Sequence, residues 1–268
     1  MFDYLYAVTF HNMVGNGKTK PCRVSAIDHN RKLHDIIIKL SSGCDRKEAD
    51  LAMEAIGSFL AIDLGVHSPQ SFIVEIDPKF VDSINDPSHK VAKNLMSLSY
   101  PYAFGSLYLS GFNTITTPPP KMTQIQLKQA ANIFAFDALV KNFDRKKSNP
   151  NCLTNGKDFA AIDHELAFHP KLFSFEPNVW EFGYMDTIPY KEHIFYDSLR
   201  SQTIDFIDIE SSWSSLKNER LDEYSLALPD EWKTGELASS AVLNALTHIK
   251  EIRDNIKPAL EEIKRVLI

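Results

Sequence analysis

The chain has 268 residues, a formal net charge of −6 and a pI near 5.8. That length suits one large domain or two closely joined lobes, and the content of 24% charged and 44% hydrophobic residues is ordinary for a folded globular protein. The acidic balance disfavours a general nucleic-acid coat, so we expect no direct contact with nucleic acid and only local binding of phosphate.

The cysteines and the apolar segments give the expected compartment. Cys22, Cys44 and Cys152 lie far apart and have no Cys or His neighbours at metal-ligand spacing, which favours reduced structural thiols. Residues 1–20 lack a basic leader, and no apolar run is long enough to cross a bilayer. The sequence therefore predicts a cytoplasmic protein that does not bind membranes.

The first predicted elements are a hairpin, a helix and a strand. β-Branched runs at 22–30 and 34–42 predict the hairpin, with Lys39 at the end of its second strand. Apolar residues near helical spacing then predict a helix within 45–69, and the run at 70–77 predicts a further strand.

From residue 78 the pattern loosens into polar stretches and turn residues. The triple proline at 118–120 is the strongest punctuation in the chain, and it predicts that the boundary between two lobes lies within 75–122.

The second half predicts a helix, a hairpin and further helices. Thr123 is a candidate cap for a helix that ends shortly before Asp144. Two short strands within 151–165 are predicted to join at Asn155-Gly156 through a type I′ turn. The region 235–268 predicts helix, interrupted around Pro258.

Three polar residues around that hairpin have the spacing of a metal-phosphate site. Asp144 follows a helix, Asn149 comes five residues later, and Asp163 ends the hairpin. In protein kinases an Asp accepts the hydroxyl proton, an Asn five residues on binds Mg²⁺, and an Asp after a short hairpin binds Mg²⁺ through the phosphates. Each residue alone is as well explained as a cap or turn residue, whereas the combination favours a kinase.

The segments "NFDRKKSNPNCL" and "AAIDHELAF" resemble the HipA-like kinases, relatives of protein and phosphoinositide kinases. "GKTKPCRVSAID", "IIIKL" and the helix within 45–69 resemble the nucleotide-covering segment, the lysine strand and the N-lobe helix of that family, and "LPDEWKTG" resembles an element of its C-terminal helices. The resemblance implies a two-lobed α+β fold, with a β-rich N-lobe at 1–100 and a mainly helical C-lobe at 101–268.

The same resemblance implies roles for five residues. Asp144 would orient the acceptor hydroxyl and take its proton, while Asn149 and Asp163 would hold Mg²⁺. Lys39 would contact the phosphates of ATP, and Glu54 would pair with Lys39 and hold its ammonium group in place. A solvated helix face is the alternative for Glu54, and a strand-end charge is the alternative for Lys39.

The nucleotide-covering segment is the weakest part of the match. Gly15, Gly17 and Lys18 are its candidate nucleotide-binding residues, but "VGNGKTK" has only two glycines and departs from G-x-G-x-x-G.

The catalytic segments also depart from other kinases and leave alternatives open. Asn151 competes with Asn149 as the metal ligand, and "DHE" replaces Asp-Phe-Gly, so His164 is not assigned the role of the Phe. The basic run 145–147 offers one candidate for a contact with the transferring phosphoryl group, and for each of its three residues a solvated turn is the alternative.

The expected activity is transfer of the γ-phosphoryl group of ATP to Ser or Thr of a protein substrate, with autophosphorylation within residues 17–25. The alternatives are a kinase for a small molecule or lipid and a kinase-fold binding protein without turnover. HipA relatives include toxins held by a small helix-turn-helix antitoxin, so the resemblance also implies a partner of that kind.

Overall fold

The computed structural model describes residues 3–15, 18–99, 101–119, 121–169 and 176–268. The chain forms two compact units, each assembled from three stretches of sequence. The first unit comprises the described residues of Met1–Ile56, Pro69–Ser110 and Glu223–Val242, and the second those of Gly57–Ser68, Gly111–Asp222 and Leu243–Ile268. The lobe ranges 1–100 and 101–268 stay a prediction.

A closed five-stranded barrel is the centre of the first unit. Its strands are β1 (Tyr4–Met13), β2 (Cys22–Ile27), β3 (Leu33–Lys39), β4 (Ser71–Glu75) and β5 (Tyr102–Leu107), in the order β1-β2-β3-β5-β4. β1 and β4 run parallel, and the other neighbours are antiparallel. The predicted hairpin is confirmed as β2 and β3, with Lys39 as the last residue of β3.

Alternation of side chains fills this barrel. β2 alternates buried and half-buried positions, as expected for a strand with one face toward the core. Members of that core from four of the strands are Leu5, Val24, Ile36, Ile38, Phe72 and Val74.

The predicted helix within 45–69 is α1 (Glu48–Asp63). It is buried on every side from Ala49 to Ala61, which is typical of a helix inside the core rather than on the surface. The helix is followed by Gly65, whose φ of +72° is a conformation that glycine adopts without steric cost.

The loosened pattern after residue 78 hides two helices and the fifth strand. α2 (Pro78–Ser83) is capped by Asp77, whose side chain accepts a hydrogen bond from the amide of Lys79, and α3 (Lys90–Leu98) follows a short 3₁₀ turn. The polar residues that resemble loop residues in the sequence are therefore partly helix caps. β5 escapes notice because its sequence, YAFGSL, lacks the β-branched residues that mark β2 and β3.

The second unit contains α4 (Gln124–Val140) and a small sheet of β6 (Asn113–Thr114), β7 (Cys152–Thr154) and β8 (Phe159–Ala161). Thr123 caps α4 as predicted, in a capping box with Gln126. The helices that follow in the chain are α5 (Tyr196–Leu199), α6 (Ile207–Ser214), α7 (Asn218–Ala227), α8 (Glu236–Asp254) and α9 (Ile256–Leu267). α8 ends just before Asn255, and Pro258 lies in the first turn of α9, so the predicted interruption is confirmed.

The turn between β7 and β8 differs from the prediction. A type I′ turn needs positive φ at both central residues, whereas Gly156 has a φ of +85° and Asn155 is not among the residues with positive φ. The loop instead has four residues, because Thr154 pairs with Phe159. The Asn155 side-chain oxygen accepts hydrogen bonds from the amides of Lys157 and Asp158, which stabilises this longer turn.

The structure also bears on the expectations for the cysteines and for membrane-spanning segments. All three cysteines are buried thiols. Among the helices of the described ranges, none combines the length and the apolar character needed to cross a membrane.

Gly105 on β5 gives a test of the barrel packing. A Cβ at this position would lie 2.5 Å from Cγ2 of Val74 and 2.9 Å from Cγ2 of Ile36. We expect Gly105→Ala to lower the free energy of unfolding by about 1–3 kcal/mol, because overpacking in a closed barrel outweighs the loss of unfolded-state entropy, worth about 0.4–1 kcal/mol. Urea denaturation measures the change, with Ser106→Ala on the same strand as the control. Equal stability of the two variants would contradict this account.

Candidate active site

The loop after α4 carries Asp144 and is folded back on itself. Lys141 ends α4 in the left-handed conformation, with a φ of +58°. The amide of Lys146 donates to the carbonyls of Asp144 and Asn149, both at 2.9 Å, and the amide of Asn149 donates to the carbonyl of Lys146 at 3.1 Å. These bonds keep the predicted base and the predicted metal-binding amide in one tight turn, which we call the catalytic loop (residues 142–151).

Two carboxamides hold the side chain of Asp144. The Nδ2 atoms of Asn149 and Asn151 donate to the same Oδ2 atom of Asp144, at 2.7 and 3.0 Å. Burial raises the pKa of Asp144, and the charge of Asp163 adds to the increase, against the opposing effect of the two amides. A carboxylate with a raised pKa and a fixed orientation suits a group that accepts a proton.

A buried ion pair lies beneath this loop. Arg145 has no exposed surface, and its Nε donates to Oδ2 of Asp137 on α4 at 2.6 Å. Its Nη1 donates to the backbone carbonyls of Asn151 and Ile162, the latter at 2.7 Å. Both interpretations of Arg145 from the sequence are therefore wrong: a fully buried guanidinium neither lies in a solvated turn nor reaches a phosphoryl group.

Asp137 binds two more side chains. Asn142 Nδ2 donates to its Oδ1 and His193 Nε2 donates to its Oδ2, both at 3.0 Å. Burial alone would raise the pKa of Asp137, but the charge of Arg145 and the hydrogen bond from His193 outweigh burial and leave the pKa lowered. Asp137 is thus held as a carboxylate inside the second unit.

His193 is neutral in this arrangement. Its Nδ1 accepts a hydrogen bond from the amide of Phe195 at 3.2 Å, which requires that Nδ1 carry no proton. Burial lowers the pKa of His193, and the nearby charge of Arg145 opposes protonation further, against the effect of Asp137.

Two residues of the candidate site have a positive φ, a backbone conformation that residues other than glycine rarely adopt. Asn151 has a φ of +42° and Asp163 has a φ of +66°. Left-handed conformations cost a residue with a Cβ roughly 1–2 kcal/mol, although Asn and Asp tolerate them better than most residues. Such strain persists only where surrounding contacts fix the backbone, and it is concentrated at functional sites.

The other two basic residues of the catalytic loop reach solvent. Lys146 Nζ lies 3.6 Å from a carboxylate oxygen of Glu192, and Lys147 Nζ lies 2.5 Å from one of Asp197. Lys147 is therefore accounted for by an exposed ion pair. Lys146 is held more loosely and remains the candidate for a contact with a phosphoryl group.

The chain between α1 and β4 supports the strand that precedes Asp163. The amide of Ala161 donates to the carbonyl of His67 at 2.8 Å, and the hydroxyl of Ser68 donates to the carbonyl of Ala161 at 2.9 Å. β8 is thereby held along an edge that the three-stranded sheet leaves open. Asp163 follows β8 by two residues, and one of its carboxylate oxygens lies within 4.8 Å of one of Glu165.

His164 is a core residue of the second unit. It has no exposed surface, and its ring packs edge-on against Phe136, with 5.5 Å between ring centroids. Its Cβ approaches Gly57 on α1 so closely that a Cβ at position 57 would lie 2.6 Å from it. Gly57 is thus required for the close approach of α1 to the residue that follows Asp163.

In the first unit the structure pairs Lys39 with Glu54. The Nζ of Lys39 lies 2.9 Å from Oε2 of Glu54, and both residues are buried. This geometry rules out a solvated helix face for Glu54 and a free strand-end charge for Lys39. The pair is an ammonium group held in one place by a carboxylate, as a phosphate-binding lysine requires.

The predicted nucleotide-covering segment is partly described. Gly15 has a φ of +65°, and Lys18 forms an exposed ion pair with Asp45 at 2.5 Å. The carbonyl of Thr19 passes so close to Gly43 that a Cβ there would lie 2.5 Å from the oxygen. Gly17 lies outside the described residues.

The residue types of the second unit fit a hard divalent cation. Asn149 and Asn151 use their nitrogens on Asp144, so their amide oxygens face away from it. Amide and carboxylate oxygens are the ligands that Mg²⁺ prefers, and Asp163 supplies the carboxylate. Both amides contact Asp144, so the choice between Asn149 and Asn151 stays a prediction based on spacing.

Comparison with known proteins identifies the class of protein as a phosphotransferase of the kinase type. The model of the HipA-like kinase family matches residues 37–262, which is most of the chain. The chain belongs to the HipA-like kinase family, so the resemblance seen in the sequence is confirmed and the α+β fold is that of a kinase.

Two solved structures similar to the chain are also kinases. One is the crystal structure of a Helicobacter pylori proinflammatory kinase, CtkA, with 12% identity, a TM-score of 0.48 and coverage of 96% of each chain. The other is the Golgi casein kinase with Mn/ADP bound, with 12% identity, a TM-score of 0.43 and coverage of 100% of this chain and 75% of that one. No curated protein matches the chain.

Sequence reasoning missed three residues that shape the site, namely Asp137, His193 and Gly57. Asp137 has a recognisable signal, because it is the one charged residue in the apolar run "IFAFDALV" and a charge there needs a buried partner. His193 and Gly57 have no such signal, since their importance comes from contacts with residues distant in the sequence.

Gly57→Ala tests the contact of α1 with the loop of Asp163. We expect the substitution to lower the free energy of unfolding by about 1–3 kcal/mol, because overpacking exceeds the helix-propensity gain of about 1 kcal/mol. The partner atom is the Cβ of His164 itself. His164→Gly should therefore offset part of the loss in a double-mutant cycle, while His164→Ala should not. Equal coupling energies for the two replacements would contradict the proposed contact.

His193 predicts a dependence of stability on pH. Its pKa is lowered in the folded chain, so below about pH 6.5, the ordinary His value, the unfolded chain binds a proton that the folded chain does not. The stability from neutral His193 is complete above that pH and is lost as pH falls toward the lowered folded pKa. Urea denaturation between pH 7.5 and about 5 should show a larger loss for the unmodified chain than for His193→Gln. Parallel curves for the two proteins would refute the neutral state of His193.

Proposed function

We propose that the chain is a two-lobed, Mg-ATP-dependent protein kinase that transfers the γ-phosphoryl group to Ser or Thr. Asp144 is the catalytic base, Asn149 and Asp163 hold the metal, and Lys39, positioned by Glu54, contacts the phosphates. Gly15 and Lys18 belong to the nucleotide-covering segment, together with Gly17.

The arrangement around Asp144 is the observation that carries this proposal. Its carboxylate is half-buried, held by two amides and raised in pKa, as a general base needs. In the reaction the acceptor oxygen bonds to the γ-phosphorus while the bond from that phosphorus to the oxygen bridging it to the β-phosphate breaks. The hydroxyl proton passes to Asp144, and ADP leaves.

Charge stabilisation is divided among groups of different mobility. Mg²⁺, when bound, neutralises charge on the phosphate oxygens. The Lys39 ammonium is preformed by its 2.9 Å contact with Glu54, so little reorganisation is needed when the phosphates bind. Lys146, with a looser 3.6 Å contact to Glu192, is able to turn toward the transferring phosphoryl group.

Asparagine substitutions of two carboxylates test the catalytic assignment. Labelled γ-phosphate from Mg-ATP is followed into the protein and small-molecule fractions of a cell lysate. We expect label in protein with the unmodified chain, and about 10²- to 10⁴-fold less with Asp144→Asn, because the base is lost. Asp163→Asn should also weaken metal-dependent nucleotide binding.

Asp208→Asn is the matched control, since Asp208 is an exposed partner of Lys128. This variant should transfer label like the unmodified chain. Label confined to small molecules would assign a metabolite or lipid acceptor instead of a protein. Nucleotide binding without any label would identify a kinase-fold binding protein.

Autophosphorylation is a second part of the proposal. Thr19 and Ser25 lie in the segment 17–25 and offer hydroxyls. Intact mass after incubation with Mg-ATP should increase by one or more phosphoryl groups in the unmodified chain and stay constant in Asp144→Asn. If the mass of the unmodified chain stays unchanged while label is transferred to lysate proteins, autophosphorylation is ruled out and the protein-kinase proposal stands.

A further inference from the structure

The guanidinium of Arg145 binds three separate parts of the second unit. Its Nε and Nη2 donate to Asp137 on α4, at 2.6 and 3.3 Å. Its Nη1 donates to the carbonyl of Asn151, at the end of the catalytic loop, and to that of Ile162, which directly precedes Asp163. Since Arg145 has no exposed surface, it acts on other protein groups and contacts no substrate.

The two carbonyls belong to the strained parts of the backbone. Asn151 itself has positive φ, and Ile162 contributes the peptide bond that leads into Asp163, which also has positive φ. The amide of Ile162 donates to the carbonyl of Asn151 at 3.0 Å, so the same oxygen receives bonds from Arg145 and from the other loop. A rotation of either peptide would change the backbone at Asn151 or at Asp163, and with it the direction of that residue's side chain.

We infer that Arg145 is a positioning residue that sets the metal-binding oxygens of the catalytic loop and of Asp163 at their working separation. Asp137 holds the guanidinium in place, and His193 and Asn142 hold Asp137. This inference rests on the proposed metal site. It adds that the site's affinity for a divalent cation is set by a side chain that never contacts the cation.

The fork of the guanidinium is essential to this role. Arg145 serves a carboxylate and two carbonyls at once through a planar group with donors in fixed directions. Lysine supplies the same charge from a single point on a flexible stem, so it satisfies Asp137 without joining the two carbonyls. Arg145→Lys therefore separates charge from geometry.

The test measures cation binding rather than transfer alone. Mn²⁺ is titrated into the complex with ADP and followed by electron paramagnetic resonance, and ADP binding is measured separately without metal. We expect Arg145→Lys to weaken Mn²⁺ binding by about 10- to 100-fold and to leave metal-free ADP binding unchanged. Excess Mn²⁺ should restore part of the transfer rate. Mn²⁺ affinity equal to that of the unmodified chain, or an equal loss of metal-free ADP binding, would overturn the inference.

A neutral double variant covers the case in which Arg145→Lys does not fold. Asp137→Asn with Arg145→Gln removes both buried charges together and leaves amides that hydrogen-bond to each other and to His193. If Arg145 serves only folding, this variant recovers Mn²⁺ affinity along with its fold, and the inference fails. If Arg145 positions the oxygens, the variant folds and still binds Mn²⁺ weakly.

The result is independent of the proposed activity. Loss of Mn²⁺ affinity in the variants, with no phosphoryl transfer by the unmodified chain, would contradict the kinase assignment and leave the role of Arg145 standing. If the unmodified chain transfers phosphate but the variants keep their Mn²⁺ affinity, the kinase activity stands and the positioning role of Arg145 is contradicted.

Discussion

The buried ion pair of Asp137 and Arg145 is the interaction on which the candidate site depends. Its two side chains are at most 2% exposed, so each charge loses its hydration on folding. Removing one partner of such a pair typically costs about 3–5 kcal/mol, because the other charge stays buried and uncompensated. The pair is tolerable only if all its polar atoms are satisfied, and besides Asp137 the groups that satisfy Arg145 are the carbonyls of Asn151 in the catalytic loop and of Ile162 before Asp163. Because the buried guanidinium must be hydrogen-bonded, the positions of the Asn151 and Ile162 carbonyls in the candidate site are fixed.

Two aspartates of the second unit have pKa values shifted in opposite directions, because their buried surroundings carry different charges. Asp137 meets a full positive charge, and its pKa is lowered despite burial. Asp144 meets two neutral amides and the negative charge of Asp163, so burial prevails and its pKa is raised. The lowered pKa of Asp137 favours the anion that pairs with Arg145, and the raised pKa of Asp144 favours uptake of a proton.

The sequence was informative where function requires a fixed spacing and uninformative where packing decides. The positions of Asp144, Asn149 and Asp163 follow from a local pattern, and so does the hairpin that carries Lys39, because β-branched runs and polar turns act over a few residues. β5 was missed because its sequence lacks the β-branched residues that mark the predicted strands, and only its pairing with the distant β3 and β4 defines it. The prediction of a type I′ turn at Asn155-Gly156 was wrong, because the Asn155 side-chain oxygen accepts backbone hydrogen bonds that stabilise a longer turn.

Arg145 shows why a basic run in a sequence is hard to interpret. Three consecutive positive residues predict one solvated patch, yet the first is fully buried and the next two reach solvent. The difference arises because the carboxylate of Asp137, eight residues earlier on α4, comes within reach of Arg145 only once the loop turns back. Because Arg145 is buried and hydrogen-bonded, its guanidinium is held in one orientation. The exposed lysines form ion pairs that solvent screens, and such pairs are weak. The proposed site would have to hold metal ligands rigidly and still accept a changing phosphate charge, and neighbouring residues of one loop offer a fixed and an exposed cation for these two tasks.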